Sequence, residues 1–336
     1  MNVKTRARKI FWVFCVNVIL LTSLLICIEI SWRHLYPHQT YKRTFPGQFH
    51  NKEFSESSWG EYDKDLGWVF NKKHVIFGPR GITYKANRQG FRDSKDFYTA
   101  TLQAGKKRIM VLGDSMVFGA FIHEENTIPE LLQQDLGEHY LTYNLGICGW
   151  GTDQMYLAYK KYVPVIKPDI VVLFFIDDDI LRSFEAFKRF ERTNKPSFEI
   201  NNGDLKLRNE KRTWVDAVIE KSYILNRLFL WYRDLYSKKL TKLIFDKMIQ
   251  NNKQTKFLIV RIPLVQDVAK YGYLKNYQKF SFKGDLTEDN VVYIELMDYM
   301  KRVPKNEAIG FYMLQNGHFS EYGSAFVAQT IAKFCY

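Results

Sequence analysis

Arg108-Ile-Met-Val-Leu-Gly-Asp-Ser-Met-Val-Phe-Gly119 is an apolar run that breaks at Gly113-Asp114-Ser115. Ile109 to Leu112 has the length and composition of a short buried strand. A glycine at its carboxyl end lets the backbone turn sharply enough to present a serine hydroxyl at the sheet edge. Open α/β sheets bind their ligands at such edges. A lone Gly-Asp-Ser is a weak signal, so its weight depends on what flanks it.

Downstream, a helix is expected from near Thr127, with Pro129 in its first turn and Gly137 at its end. Leu141 to Leu145 reads as a second strand that delivers Gly146-Ile-Cys-Gly-Trp-Gly151, where three glycines within six residues mean that backbone comes close to something. A helix from about Asp153 to Tyr162 leads through Pro168 into Ile170-Val-Val-Leu-Phe-Phe-Ile176. Such an uninterrupted apolar run is expected of a central parallel strand. It ends in Asp177-Asp178-Asp179.

Residues 181–250 break this rhythm and read as an inserted cap. Arg182 to Arg192 is basic and aromatic, a hairpin is expected through Asn202-Gly203, and Trp214 to Ile249 reads as one or two amphipathic helices with apolar Leu228, Leu235 and Leu240. Lys256 to Pro263 is a fourth strand, Gly310 to Leu314 a fifth, and Tyr322 to Phe334 a closing helix. Strands alternating with helices predict a doubly wound α/β sheet. Ahead of it, residues 33–60 read as a surface tether. Tyr62 to Trp68 and Asn87 to Arg92 are turn-rich pieces around a short hairpin at Val75 to Tyr84. Gly67 and Gly90 fit turns and Trp68 and Phe91 a core, and for Arg92 a structural role outweighs a catalytic one.

The chain has 336 residues, 46% of them apolar, enough for a full core in one large domain or two modest ones. Lys4, Arg6, Arg8 and Lys9 precede Ile10 to Trp32, an almost wholly apolar stretch. As a helix it reaches about 34 Å, sufficient to cross a bilayer core. A cleaved signal peptide shares the basic start, but its apolar part is shorter and small residues follow it. Here Glu29-Ile-Ser-Trp-Arg-His-Leu-Tyr36 is bulky and charged, so an uncleaved signal anchor is expected. The basic residues before it place the N-terminus in the cytoplasm and the remaining ~300 residues outside.

The net charge is +13, and residues 1–32, with four bases and one acid, leave +10 on the rest. This surplus is either an attractor of anionic glycans, phosphorylated lipids or a membrane surface or, the favoured reading, simply a Lys-rich solvated surface. The charge is scattered, without a basic helix or finger motif, so nucleic acid is not an expected partner. Cys15 and Cys27 lie in the span, while Cys148 and Cys335 are either a disulfide in an oxidising compartment or two free thiols. No metal-ligand spacing occurs, and neither metal nor cofactor is expected.

Four strand ends now carry chemistry-bearing residues: Ser115 after the first, Gly149 after the second, the acid cluster after the third and Asn316-Gly-His318 after the last. Loops at one edge of a sheet can converge. Serine and histidine there point to nucleophile and general base, with the backbone N–H groups of Ser115 and Gly149 as oxyanion donors.

In these blocks the sequence resembles the SGNH/GDSL hydrolase superfamily. Gly113-Asp-Ser115 is similar to its first block, Asn144-Leu-Gly-Ile-Cys-Gly149 to its glycine block, Val171 to Asp179 to its third, and His318 with the following helix to its last. Asp65-Leu-Gly-Trp68, Asn87 to Arg92 and Gly149-Trp-Gly-Thr-Asp-Gln154 further resemble a membrane-anchored bacterial subgroup linked to envelope polysaccharides. The resemblance implies a three-layer α/β/α doubly wound parallel sheet, flavodoxin-like, over about residues 61–336 behind one transmembrane helix. It also implies an esterase that acts through Ser115 and His318 on O-acyl, in the first place O-acetyl, groups of an envelope glycan. The implied location is the bacterial inner membrane, with the domain facing the periplasm or exterior.

Two positions depart from the family. Its third block carries an asparagine that donates to the oxyanion, where this chain has Asp178, or Asp177 in the other register. Its last block carries an acid before the histidine, where this chain has Asn316 and Gln315. Losing an oxyanion donor costs on the order of 10²–10³ in rate, and the Asp-to-Asn change in the serine-protease triad about 10⁴. Either the site is compensated or the chain is a degenerate member. Compensation would come from a carboxylate of Asp177 to Asp179 orienting His318, or from a protonated, buried Asp178 donating a hydrogen bond. A degenerate member would bind a glycan or an assembly partner through the cap. Acyl transfer to a sugar would use the same residues as hydrolysis.

Overall fold

The computed structural model describes residues 3–36, 40–44, 59–73, 75–98, 105–188, 193–269 and 280–336. Residues 37–39 and 45–58 of the expected tether and 189–192 of the expected cap therefore lie outside the described residues. The chain forms two compact units, Met1–Thr44 with Lys211–Leu235, and Phe45–Glu210 with Tyr236–Tyr336. Its principal helices are α1 (Val3–Leu35), α2 (Ser115–Phe118), α3 (Ile128–Leu136), α4 (Thr152–Ile166), α5 (Asp177–Arg182), α6 (Trp214–Lys221), α7 (Tyr223–Gln250) and α8 (Glu321–Ala332).

The second unit is built on five strands, β1 (Lys107–Gly113), β2 (Tyr140–Gly146), β3 (Ile170–Phe175), β4 (Lys256–Arg261) and β5 (Val291–Glu295). They lie in the order β5-β4-β3-β1-β2, and every neighbouring pair is parallel. This is the flavodoxin-like order, with its topological switch point between β1 and β3. Leu112 lies opposite Leu145 on one side and Leu173 on the other.

Period-two alternation sends the apolar residues of these strands into two cores. Met110, Leu112, Val171 and Leu173 join one core with Tyr159 of α4 and Leu240, Ile244 and Phe245 of α7. Ile109, Val111, Val172 and Phe174 join the other with Leu132 of α3 and Val327 and Ile331 of α8. Helices on both faces make three α/β/α layers, and this double burial explains why β3 is apolar throughout.

The fifth strand is not where the sequence placed it. Val291-Val-Tyr-Ile-Glu295, rich in β-branched residues, pairs with β4. Gly310 instead ends a short helix, Lys305–Gly310. The carbonyl of Phe311 accepts a hydrogen bond from Ser320 N at 2.9 Å, so that backbone is occupied by the turn into α8 rather than by a strand. The expected hairpin at Asn202-Gly203 is present, joining Phe198–Asn201 to Asp204–Leu207 with φ of 50° and 79° at the two turn residues, as a primed turn demands. All four cysteines are free thiols, which decides between the two readings of Cys148 and Cys335.

In the first unit, Arg6–Leu35 of α1 is long and apolar enough to cross a membrane once. Glu29, the one acid of this stretch, accepts hydrogen bonds from Tyr223 N (2.8 Å), Ile224 N (3.1 Å) and Ser222 Oγ (3.0 Å) and pairs with Arg33 (3.0 Å). It thus satisfies N–H groups that the start of α7 would otherwise leave unpaired.

Candidate active site

The site forms where β1 ends. Asp114 caps α2 by accepting Met116 N at 2.9 Å, which leaves Ser115 on the first helical residue beside the switch point. Gly146, level with Gly113 on the neighbouring strand, lies against the backbone of α2. A Cβ there would come within 2.7 Å of the Val117 carbonyl carbon, so this glycine exists for close approach.

His318 arrives from the far end of the chain on a tight turn. Gly317, at φ 74°, donates to Met313 O at 2.8 Å, and the His318 carbonyl accepts from Met313 N at 2.8 Å. His318 Nε2 lies 2.9 Å from Ser115 Oγ, linking residues 203 positions apart. The Ser115 hydroxyl also has a longer, 3.4 Å contact with Asp114 Oδ2. Phe121 packs edge-on against the imidazole with ring centroids 5.2 Å apart. Burial holds the imidazole pKa below its ordinary 6.5; the Asp114 charge opposes this and Arg182 reinforces it.

The other expected site residues occupy different places. Gly149 follows β2 at φ 78°. The carbonyl of Cys148 accepts from Trp68 Nε1 at 3.0 Å. Because a trans peptide is planar, fixing that carbonyl also fixes the direction of the Gly149 N–H. Trp150 Nε1 donates to Trp68 O (3.0 Å) and Gln154 Nε2 to Leu66 O (2.7 Å), so the Asp65-Leu-Gly-Trp68 piece braces the glycine loop from outside.

Among the described residues no carboxylate reaches the histidine. Asp177 is gripped by Arg261 through Nε at 2.9 Å and Nη2 at 3.1 Å, and Arg261 also holds Glu295 at 2.9 Å. The Asp178 side chain is 58% exposed and comes no nearer than 4.0 Å to Arg182. Asn316 uses its Oδ1 to accept the backbone N–H of His318 at 3.0 Å. His318 Nδ1 is consequently buried without a partner among the described residues. The buried acid of the cluster is Asp179, which accepts Ile176 N at 3.0 Å. Burial pushes its carboxyl well above the usual range, with the Asp114 charge adding and Arg182 opposing.

Sequence reasoning missed Arg182. From the last turn of α5 its Nη1 donates to Asp179 Oδ1 at 2.5 Å, Asp114 Oδ2 at 3.3 Å and Trp150 O at 3.3 Å. Among the described residues, Nη2 has only the distant Asp178 contact. Against its burial, the carboxylates of Asp179 and Asp114 hold the Arg182 pKa above its ordinary value, so the cation is permanent. The three-residue spacing from Asp179 was the only signal in the sequence, and it reads equally well as an ordinary helix pair.

Arg92 is a clamp rather than a site residue. Almost wholly buried, it donates to the carbonyls of Phe118, Gly119 and Ile122 and lies 4.4 Å from the Tyr84 ring centroid. Tyr84 Oη accepts Phe121 N at 2.9 Å. Together they fix the 118–122 loop that carries the ring packed on His318, with Phe121 itself at a φ of 69°. Among the described residues no group of His, Cys, Asp and Glu is placed to hold a metal ion.

No model of a known protein family matches the sequence, and no protein with a curated description does. Solved structures do match. A lipase/acylhydrolase from Enterococcus faecalis is similar at 15% identity and a TM-score of 0.41, covering 68% of this chain and 94% of its own. A member of the lipolytic protein G-D-S-L family from Veillonella parvula is similar at 13% identity and a TM-score of 0.41, covering 68% and 98%. The chain itself has a five-stranded parallel sheet with a serine just past the end of β1, and in sequence ahead of it a helix long and apolar enough to cross a membrane.

Arg92→Met is expected to lower the unfolding free energy by about 1–3 kcal/mol, because three loop carbonyls lose their donor. Arg92→Lys should recover part of it, as read by urea denaturation of the full chain in detergent.

Proposed function

We propose that this chain is a membrane-anchored serine ester hydrolase of the SGNH type, with Ser115 as nucleophile and His318 as general base. The observation that carries the reading is the 2.9 Å contact between Ser115 Oγ and His318 Nε2. An imidazole held below its ordinary pKa is neutral at pH 7, and its Nε2 can accept the serine proton.

Ser115 Oγ attacks the ester carbonyl carbon as its proton passes to Nε2. The tetrahedral intermediate collapses as the imidazolium returns that proton to the leaving alcohol, and water then releases the acyl group from Ser115 by the same relay. Backbone N–H groups of Ser115 and Gly149 are the proposed oxyanion donors, and neither Asp177 nor Asp178 is placed to help. Arg182 substitutes for the missing asparagine: among the described residues its Nη2 makes no hydrogen bond, and its Nη1 contacts the same Asp114 oxygen that Ser115 does.

With no acid at Nδ1 among the described residues, the nearby Asp114 charge and a backbone hydrogen bond with Asn316 favour the imidazolium. Turnover slower than that of a complete triad follows. The same unpartnered Nδ1 favours the second reading, a degenerate member that binds a glycan or an assembly partner without turning it over.

Residues 10–32 are the proposed anchor in a bacterial inner membrane, with the sheet unit facing the periplasm or exterior, residues 33–60 a tether and about 181–250 an insertion into the 61–336 domain. An O-acyl, in the first place O-acetyl, group of an envelope glycan is the proposed substrate. The resemblance of Asp65 to Trp68 and Gly149 to Gln154 to the polysaccharide-linked subgroup supports it. A sugar hydroxyl in place of water would make the same residues an acyltransferase.

Fluorophosphonate labelling of the full chain in detergent is expected for wild type and absent in Ser115→Ala, with His318→Ala slowed on the order of 10³-fold or more. Unlabelled, folded wild type would select the binding reading. The acid limb of kcat/KM is expected below pH 6.5, because protonation of His318 removes the base and burial shifts that event to lower pH. Arg182→Ala is expected to lower kcat by about 10²–10³ with a smaller change in KM, in protein shown folded by near-ultraviolet circular dichroism.

A further inference from the structure

In the first unit one helical face is exposed. On α7, Leu225, Leu228, Trp231, Tyr232 and Leu235 are all exposed. At 100° per residue they fall within about 120° of the circumference, along about 15 Å of helix. On α6, Trp214, Val215 and Val218 form a similar exposed group, with Trp214 at 78% and Trp231 on α7 at 66%. The chain already covers the opposite side of α7. There Asn226 holds both backbone groups of Tyr41 at 2.9 and 2.8 Å, and Tyr41 stacks on Phe229 with centroids 6.0 Å apart.

The position of this face identifies its partner. Glu29, six residues before the end of α1, is hydrogen-bonded to the first residues of α7, so α7 begins beside the outer end of the span. A cavity of about 320 Å³ between them is lined by Trp32, Tyr36, Tyr223 and Arg227 among others. Tryptophan, tyrosine and arginine are the side chains that settle at the headgroup level of a bilayer. Outside the span, residues 33–44 and 211–235 carry eight Arg and Lys against three Asp and Glu. An apolar stripe beside surplus basic charge fits the boundary between headgroups and acyl chains of an anionic bilayer.

We propose that residues 211–235 form a second membrane contact, two consecutive helical segments whose exposed apolar faces lie in the interface of the bilayer that α1 spans. This rests on the reading of α1 as a membrane anchor. This segment holds the outer end of the span through Glu29 and so makes the anchoring a two-element device.

The test uses the full chain reconstituted in vesicles of phosphatidylcholine and phosphatidylglycerol at 3:1, with bromine at acyl carbons 6 and 7, and reads quenching of tryptophan fluorescence. The first unit contains four tryptophans, Trp12 and Trp32 in α1, Trp214 in α6 and Trp231 in α7. The double variant Trp214→Phe, Trp231→Phe is therefore expected to lose about half of the quenched signal. If quenching is unchanged in the variant, Trp12 and Trp32 carry it, and the anchor stands while the proposed surface falls. If the face is instead covered by a second copy or another protein, the same unchanged quenching results and the proposal is overturned. If wild type is not quenched, both the anchor and the surface fall.

Discussion

The backbone hydrogen bonds that hold β1 between β2 and β3 are the constraint on which the site depends. Strand order reverses there, so the connections leaving β1 and β3 depart toward opposite faces and open a crevice between them. Ser115, the glycine loop and the acid cluster reach that crevice because their strands are neighbours in register. His318 comes from outside the sheet, on a turn fixed by Met313, Gly317 and the Phe311–Ser320 hydrogen bond.

Three arginines of the sheet unit, Arg92 and Arg261 buried and Arg182 half-buried, show how a chain with surplus positive charge places cations inside. Arg92 meets loop carbonyls, Arg182 two carboxylates and a carbonyl, and Arg261 Asp177 and Glu295. A buried charge is tolerated only when its donors are used, and a planar guanidinium can meet several acceptors at once. Arg261 removes Asp177 from the site, whereas Arg182 brings a permanent cation to it. The electrostatics near Ser115 therefore rest on which carboxylate each arginine claims.

That partition bears on both departures from the family pattern. An ionised carboxylate in the asparagine's place would oppose a developing oxyanion, yet Asp177 is neutralised by Arg261 and Asp178 is in solvent. The absence of an acid near the histidine is not repaired in the same way, since Nδ1 stays without a partner among the described residues. The acids are thus drawn to Arg261 and to solvent, while the histidine keeps an Nδ1 without a partner among the described residues.

The sequence by itself determined the α/β class, the first four strands and the close backbone approach at the glycine loop, because burial on both faces and the need for glycine are local demands. The block order also singled out Ser115 and His318. It misplaced the fifth strand, since the run after Gly310 and the run at Val291 to Ile294 are both short and apolar, and only pairing with β4 distinguishes them. It left the acid cluster unresolved because three consecutive aspartates look alike until their partners are known. Tertiary structure gave Asp177 to Arg261, Asp179 to Arg182 and Asp178 to water. The same holds for the amphipathic stretch from Trp214. Periodicity marks an apolar face, but only packing decides that Leu240 is buried in the sheet unit while Leu228 and Leu235 remain exposed.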